Sequence, residues 1–579
     1  MTARKSIGEL RSQRWFAPDT IRAFAHRQRL QQVGLRREEF LGKPVIAIVN
    51  TWSDLSTCHA HLRERADAVK RGVWQVGGFP VELPALSLGE VMVKPTTMLY
   101  RNLLALETEE LLRSHPVDGA VLLGGCDKTT PGLLMGAISA GVPALFCPAG
   151  PMSNGYWRGA KTGAGTHTKI YWDELRAGRI GADDWVDLEG RMTRSFGTCN
   201  TMGTASTMTS IVDAMGLTLP GASSIPAADS AHARMATECG ARIVGMVWED
   251  LTPARLFTRE AFHNGLVTYM ALGGSTNAAV HLVALARRAN VPLTLDEMDT
   301  YSRTTPVLAN LFPAGDGLME DFWFAGGLLG LLDRLRHVLA LSAPTANGRT
   351  LGDNLAGARV FDDDVIRPLD RAVTGDPATH GTLAVLKGNL APHGCVIKPA
   401  AASDHLLRHR GPALVFDDHA ELSSRIDDPA LDVTADTVLV LRNAGPVGGP
   451  GFPEWGNLPI PKKLLDQGVR DIVRVSDARM SGTHFGTCVL HVAPEAAIGG
   501  PLALVRTGDM IELDVPARSI RLCVDDADIA RRRAQWTAPP LHSRSYTALY
   551  QRHVSQADEG CDFDFLAGST TPVPEPDIY

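Results

Sequence analysis

The sequence predicts an α/β protein, with an N-terminal doubly wound α/β domain followed by a mainly β, barrel-like C-terminal domain. Three observations carry that prediction. From about residue 40 to 340, short β-branched runs alternate with longer helical stretches, the pattern of a parallel sheet with crossover helices. After about residue 376 the texture changes to strand–turn–strand units with few helices, which suits a barrel. The 579 residues are also too many for one hydrophobic core. The expected division is 1–376 and 377–579. The Pro- and Asp-rich stretch "DDDVIRPLDRAVTGDPATHG" (362–381) is the expected linker.

Taken in order, "KPVIAIVNTWSD" (43–54), "DGAVLLGGCDK" (118–128) and "VPALFCPAGP" (142–151) are apolar runs that end in Gly- or Asp-bearing loops. They suit buried parallel strands. Helical patterns lie between, in "HLRERADAVKRGVWQVG" (61–77) and "TMLYRNLLALETEELLRSH" (97–115). Ligands of such sheets collect beyond the carboxyl ends of the strands, where Asp54, Cys58 and Cys126 all fall. In the second domain the strand units are "GTLAVLKGNLAPHGCVIKP" (381–399), "PALVFDD" (412–418), "DTVLVLRNAGP" (436–446), "RDIVRVSDARMSG" (470–482) and "GPLALVRTGDMIELDVPARSIRLCV" (500–524). An extended tail, 569–579, closes the chain.

Composition narrows the function. Apolar residues make up 44% and charged residues 21%, with a formal net charge of −7 and no long run of one sign. A binder of nucleic acid or of an anionic membrane should be more basic. The first residues lack the apolar core of a signal peptide. The most apolar helical stretch, "FAGGLLGLLDRLRHVLAL" (324–341), is broken by Asp333, Arg334 and Arg336. The expected location is cytoplasmic. Nine cysteines without a CxxC pair then argue against both a disulfide framework and a zinc ribbon. "GYWRGAKT" (155–162) is one residue short of a phosphate-binding loop, but Ala160 replaces the glycine that lets backbone N–H groups wrap a phosphate.

Three cysteines share a context: Cys58 in "NTWSDLSTCHAHL", Cys126 in "GGCDKTTPG" and Cys199 in "FGTCNTMGTASTM". Each sits in a loop rich in Thr, Asn, Gly or Asp just before a helical run. Three thiolates from distant loops suit an iron–sulfur cluster with one iron left open. On spacing alone, three coincidental loop cysteines explain the pattern equally well. Beside Cys126 stand a hard carboxylate, Asp127, and an amine, Lys128. His61, His167 and Thr483 are further candidates for contact with a polar substrate. The local sequence around Ser481, "MSGT", reads as a turn.

Seven segments in order, "CHAHLRE", "GGCDKTTPGLLMGA", "GTCNTMGTASTM", "GGSTNAAVHL", "KGNLAPHG", "GPGFPE" and "SDARMSGTHFGT", resemble the iron–sulfur dihydroxyacid and sugar-acid dehydratases from near Arg14 to near Leu566. The subgroup resembled most acts on aldonic acids such as arabinonate and xylonate. The resemblance implies that Cys58, Cys126 and Cys199 hold a cluster, 2Fe–2S in preference to 4Fe–4S. It implies Mg²⁺ on Glu90, Asp127 and Glu454, with Lys128 carbamylated by CO₂ into a further oxygen ligand. Ser481 would be the base and His484 the next residue to test in that role. A homo-oligomer, dimer or tetramer, is also implied.

The implied reaction removes the proton at carbon 2 and hydroxide at carbon 3 of a 2,3-dihydroxy acid. The enol then tautomerises to a 2-keto-3-deoxy acid. Three alternatives remain at this stage: the dihydroxyacid dehydratase of branched-chain amino-acid synthesis, a non-catalytic iron–sulfur redox sensor, and a phosphotransferase using 155–162.

Overall fold

The computed structural model describes residues 4–566 and 574–578. The N-terminal sheet has four parallel strands, β1 (Val45–Asn50), β2 (Phe79–Pro84), β3 (Gly119–Gly124) and β4 (Ala144–Pro148), in the order β2–β1–β3–β4. Strands β1, β3 and β4 are buried at every residue, so their sequences are unbroken apolar runs without alternation. Edge strand β2 was not anticipated from the sequence. It is half-exposed and holds Pro80 and Pro84, residues that a sheet tolerates at its edge.

The chain runs from β1 outward to β2 and then back across to β3. Right-handed crossovers therefore put the helix Leu62–Gln75 on one face and the helices Met98–Ser114 and Thr129–Ala140 on the other. Leu62–Gln75 packs on Ser230–Trp248, and Met98–Ser114 packs on Thr129–Ala140. The doubly wound expectation holds, and strand order reverses between β1 and β3. Ligands collect at such a reversal, beyond the carboxyl ends of the two strands.

A hairpin follows, β5 (Gly155–Trp157) and β6 (Ala160–Thr162), with Arg158 and Gly159 at φ 50° and 82° in the turn. Two residues with positive φ make a tight hairpin turn. The stretch 155–162 is thus a hairpin and not a loop entering a helix, which removes the phosphotransferase reading.

The C-terminal region is a closed eight-stranded barrel. Its strands are β7 (Ala384–Gly388), β8 (Ala391–Ile397), β9 (Arg408–Phe416), β10 (Val438–Leu441), β11 (Arg474–Ser476), β12 (Cys488–Ala493), β13 (Met510–Asp514) and β14 (Ser519–Leu522). Period-two alternation decides what each face meets. Val438 and Val440 of β10 fill the barrel, while Leu439 and Leu441 face an outer cluster with Leu422 and Leu464. Ala384 and Leu386 of β7 point inward, and Val385 joins the core of the N-terminal region.

The pairing is mixed: β9–β10–β11–β12 run parallel, whereas β7–β8 and β13–β14 are antiparallel hairpins. Strand β12 was missed in the sequence. "GPLALV" (500–505), read as strand, forms a short 3₁₀ turn at Pro501–Leu504. The expected linker contains the single helical turns Leu369–Arg371 and Pro377–His380 and an isolated bridge from Ile366 to Ala309. Of the expected tail, 574–578 are described, and Glu575 pairs there with Arg11 and Arg14. The rest of the tail lies outside the described residues. Among the described residues no helix is long and apolar enough to cross a membrane.

Candidate active site

The loops after β1 and β3 bring Cys58 and Cys126 to the strand-order reversal. His59 Nε2 lies 3.1 Å from the Cys126 backbone N–H and accepts from it, and Thr51 Oγ1 donates to the Leu123 carbonyl at 2.8 Å. These bonds tie the two loops together. Cys199 arrives from the loop before the helix Thr204–Ala214. All three sulfurs line one cavity of about 600 Å³, together with Glu90, Asp127, Glu454, Ser481 and Thr483. The other six cysteines lie elsewhere: Cys147 and Cys239 are buried beside Met235, Cys395, Cys488 and Cys561 are buried, and Cys523 is exposed. The adjacent Cys126 thiol, then burial, push the Cys58 thiol far above its usual range. Burial, then Asp127, do the same to Cys199.

Lys128 forms the inner end of the acidic group. It occupies the position just before the helix Thr129–Ala140 and is fully buried. Its Nζ lies 2.9 Å from Glu90, 3.3 Å from Asp127 and 3.4 Å from Glu454. One oxygen from each carboxylate falls within 4.8 Å of the others. Burial pushes the Asp127 carboxyl up to about 6, and Glu90 and Glu454 add to the rise. Burial acts on Glu454 in the same direction, yet Lys128, Arg479 and His484 pull it down to about 2. Burial and Arg479 oppose the charge on Lys128, but the three carboxylates together raise its pKa.

Ser481 and Thr483 reach the cavity on the loop between β11 and β12. Their side-chain oxygens are 2.9 Å apart. Close backbone approach seats this loop on the N-terminal region. Thr166 Oγ1 donates to the Thr483 carbonyl. A Cβ on Gly165, which has φ +86°, would fall 2.2 Å from Thr483 Oγ1. Only glycine fits there.

The two histidines singled out in the sequence do not face the cavity. His61 is buried, hydrogen-bonded to the Ala149 carbonyl at 2.7 Å and stacked on Phe196. Burial pushes its pKa down to about 4. His167 Nδ1 accepts from the Gly163 backbone N–H at 3.0 Å, and its ring packs edge-on against Phe312. His484 does line the cavity, and burial pushes its pKa to about 4.

Sequence reasoning missed the residues that orient Glu454. Arg479 Nη1 lies 2.9 Å from its Oε1, and Asn277 Nδ2 donates to the same oxygen at 2.8 Å. Both lie inside segments already noted, "SDARMSG" and "GGSTNAAVHL", and an Arg two residues before the candidate base was the available signal. Thr97, whose hydroxyl donates to Glu90, and His59 were missed too.

The donor sets fit two different metals. Three soft thiols that meet in one cavity from three separate loops suit an iron–sulfur cluster. Three converging carboxylate oxygens suit a hard divalent cation such as Mg²⁺.

Comparison with known proteins agrees with this geometry. The family model described as dihydroxy-acid/6-phosphogluconate dehydratase N-terminal matches residues 43–354, and its C-terminal counterpart matches 364–561. The chain is 66% identical to a 6-deoxy-6-sulfo-D-gluconate dehydratase of Pseudomonas putida, over 99% of each chain. It is 48% identical to an L-arabinonate dehydratase of Rhizobium leguminosarum bv. trifolii, over 97% of this chain and 96% of that protein. Identity to a dihydroxy-acid dehydratase of Caldanaerobacter subterraneus is 38%, over 93% of this chain and 97% of the relative.

Proposed function

The chain belongs to the dihydroxy-acid/6-phosphogluconate dehydratase family, and we propose that it dehydrates a sugar acid to the 2-keto-3-deoxy acid. One observation carries the reading: three thiols, three convergent carboxylates and a serine hydroxyl share one cavity. A redox sensor would need only the thiols. Cys58, Cys126 and Cys199 would hold a 2Fe–2S cluster. Glu90, Asp127, Glu454 and a carbamylated Lys128 would hold Mg²⁺. When bound, these groups supply Lewis acidity that eases loss of the 3-hydroxyl and stabilises charge at the carboxylate end.

The chain's own groups do the rest. Ser481 Oγ, as the ionised base, takes the proton from carbon 2. The freed electron pair forms the carbon–carbon double bond as the 3-hydroxyl departs. Thr483 Oγ1, 2.9 Å from Ser481 Oγ, donates to the serine oxygen and steadies its charge. Arg479 and Asn277 keep Glu454 turned into the cavity. Thr57 and Thr193 also line the wall, polar residues that suit a polyol chain.

Identity to the Pseudomonas putida relative makes 6-deoxy-6-sulfo-D-gluconate the first substrate to try. Anaerobically purified protein with Mg²⁺ should be assayed for 2-keto acid from pentonates, hexonates, 6-deoxy-6-sulfo-D-gluconate, glycerate and dihydroxyisovalerate. Turnover confined to dihydroxyisovalerate would move the function to branched-chain synthesis.

A further inference from the structure

We propose that Lys94 is a specificity-determining residue that recognises an anionic group, sulfonate or phosphate, at the far end of the sugar-acid substrate. This rests on the sugar-acid reading above and adds the residue that selects within it. Among the described residues, the cavity wall carries three carboxylates and a single Lys or Arg side chain, that of Lys94. Among the described residues its amine has no ion-pair partner. Glu90, the acid nearest to it in sequence, is held by Lys128 and Thr97.

The backbone around Lys94 is fixed at both ends to the acidic cluster. On one side Glu90 belongs to that cluster, and the Met92 and Val93 N–H groups both donate to the Gly89 carbonyl at 3.1 Å. On the other, Thr96 Oγ1 accepts from Arg479 at 3.3 Å, and the Tyr100 hydroxyl donates to the Lys94 carbonyl at 3.4 Å. A flexible cationic side chain is thus mounted on a held loop at the exposed rim of the cavity.

The neighbouring side chains at this end of the cavity, Leu55, Val91 and Met92, are apolar and exposed. A distal sulfonate or phosphate arriving there would lose water without recovering hydrogen bonds, unless a cation met it. An uncharged terminal hydroxymethyl needs no such partner. Lys94 therefore favours the charged substrate over the neutral one.

The test compares kcat/KM for 6-deoxy-6-sulfo-D-gluconate, 6-phospho-D-gluconate and D-gluconate in the wild type, Lys94→Met and Lys94→Arg. Lys94 is exposed and unpaired, so neither change threatens the fold. Loss of a charge-assisted contact should lower the charged-to-neutral ratio about tenfold to a hundredfold in Lys94→Met, with recovery in Lys94→Arg. The wild-type preference for the charged acid should also fall as salt rises, and that salt slope should flatten in Lys94→Met. The sulfonate and phosphate arms show which oxyanion the site takes. A ratio unchanged in Lys94→Met overturns the role of Lys94 and leaves the dehydratase reading standing. A wild type that turns over pentonates but none of these three acids overturns this inference alone, and one that turns over no sugar acid overturns that reading with it.

Discussion

Lys128 offers a sharp test of the metal site. Uncarbamylated, the Lys128 ammonium and the Arg479 guanidinium face three carboxylates. That leaves a single net negative charge, a poor host for a dication. Converting the amine to a carbamate removes one positive and adds one negative charge, so three negative charges remain for Mg²⁺. Lys128→Arg keeps the cation and cannot be carbamylated. Lys128→Met removes both possibilities. Both variants should bind Mg²⁺ at least a hundredfold more weakly, since even changes outside the ligand set cost about 10- to 100-fold. Without metal, Lys128→Met should lose about 3 kcal/mol of stability, because removing a fully buried cation from three largely buried carboxylates leaves uncompensated charge. Calorimetric Mg²⁺ titration of the chelated protein reads the first effect, and denaturant unfolding reads the second. ¹³C-labelled bicarbonate should give a carbamate resonance in the wild type alone. A Lys128→Arg enzyme that binds Mg²⁺ normally and turns over would refute the reasoning.

Four further outcomes are expected. Cys58→Ser, Cys126→Ser and Cys199→Ser should each lower iron content and visible absorption, while Cys523→Ser, at an exposed position, should change neither; full iron in the three loop variants would sink the cluster assignment. Ser481→Ala should keep iron and Mg²⁺ but lose turnover by several orders of magnitude, along with any exchange of the carbon-2 proton with solvent deuterium. If turnover persists, the base lies elsewhere and His484 is next. Gly165→Ala should push the 481–484 loop off its seat and lower kcat about a hundredfold, the effect of misplacing a catalytic group by about 1 Å, with iron content retained as the control. Burial holds the Lys398 amine down at about 7 from 10.5, so between those values the unfolded chain binds more protons than the native one. Stability should then rise with pH across that window by up to about 1.4 kcal/mol per unit. Denaturant midpoints at pH 7, 8 and 9 should show that rise in the wild type and not in Lys398→Met; equal slopes would count against it.

Much of the fold was legible because its signals are local. The unbroken runs at 45–50, 119–124 and 144–148 declare strands buried on both faces, and the loops after two of them display Cys58 and Cys126 at the positions where a parallel sheet binds ligands. Hairpin chemistry likewise exposes β7–β8 and β13–β14. Edge strand β2 and strand β12 were obscured, the first by its prolines and exposure, the second by sitting beside loop-like "SGTHFGT". The parallel order of β9 to β12 has no local mark at all, because their pairing joins residues separated by whole crossovers.

Local sequence sufficed for most of the strands and helices, for the three cysteine loops and for the segments in which the candidate groups lie. Which of those groups meet is settled by packing between distant segments. Glu454 reaches Lys128 from 326 residues away along the chain, and Asn277 and Arg479 fix its orientation from two further segments. His61 and His167, equally polar in the sequence, are turned into packing contacts instead. Side-chain type and turn chemistry are set within a few residues. Convergence of distant carboxylates in one buried place depends on how two packed regions close on each other, and no local window of sequence contains that information.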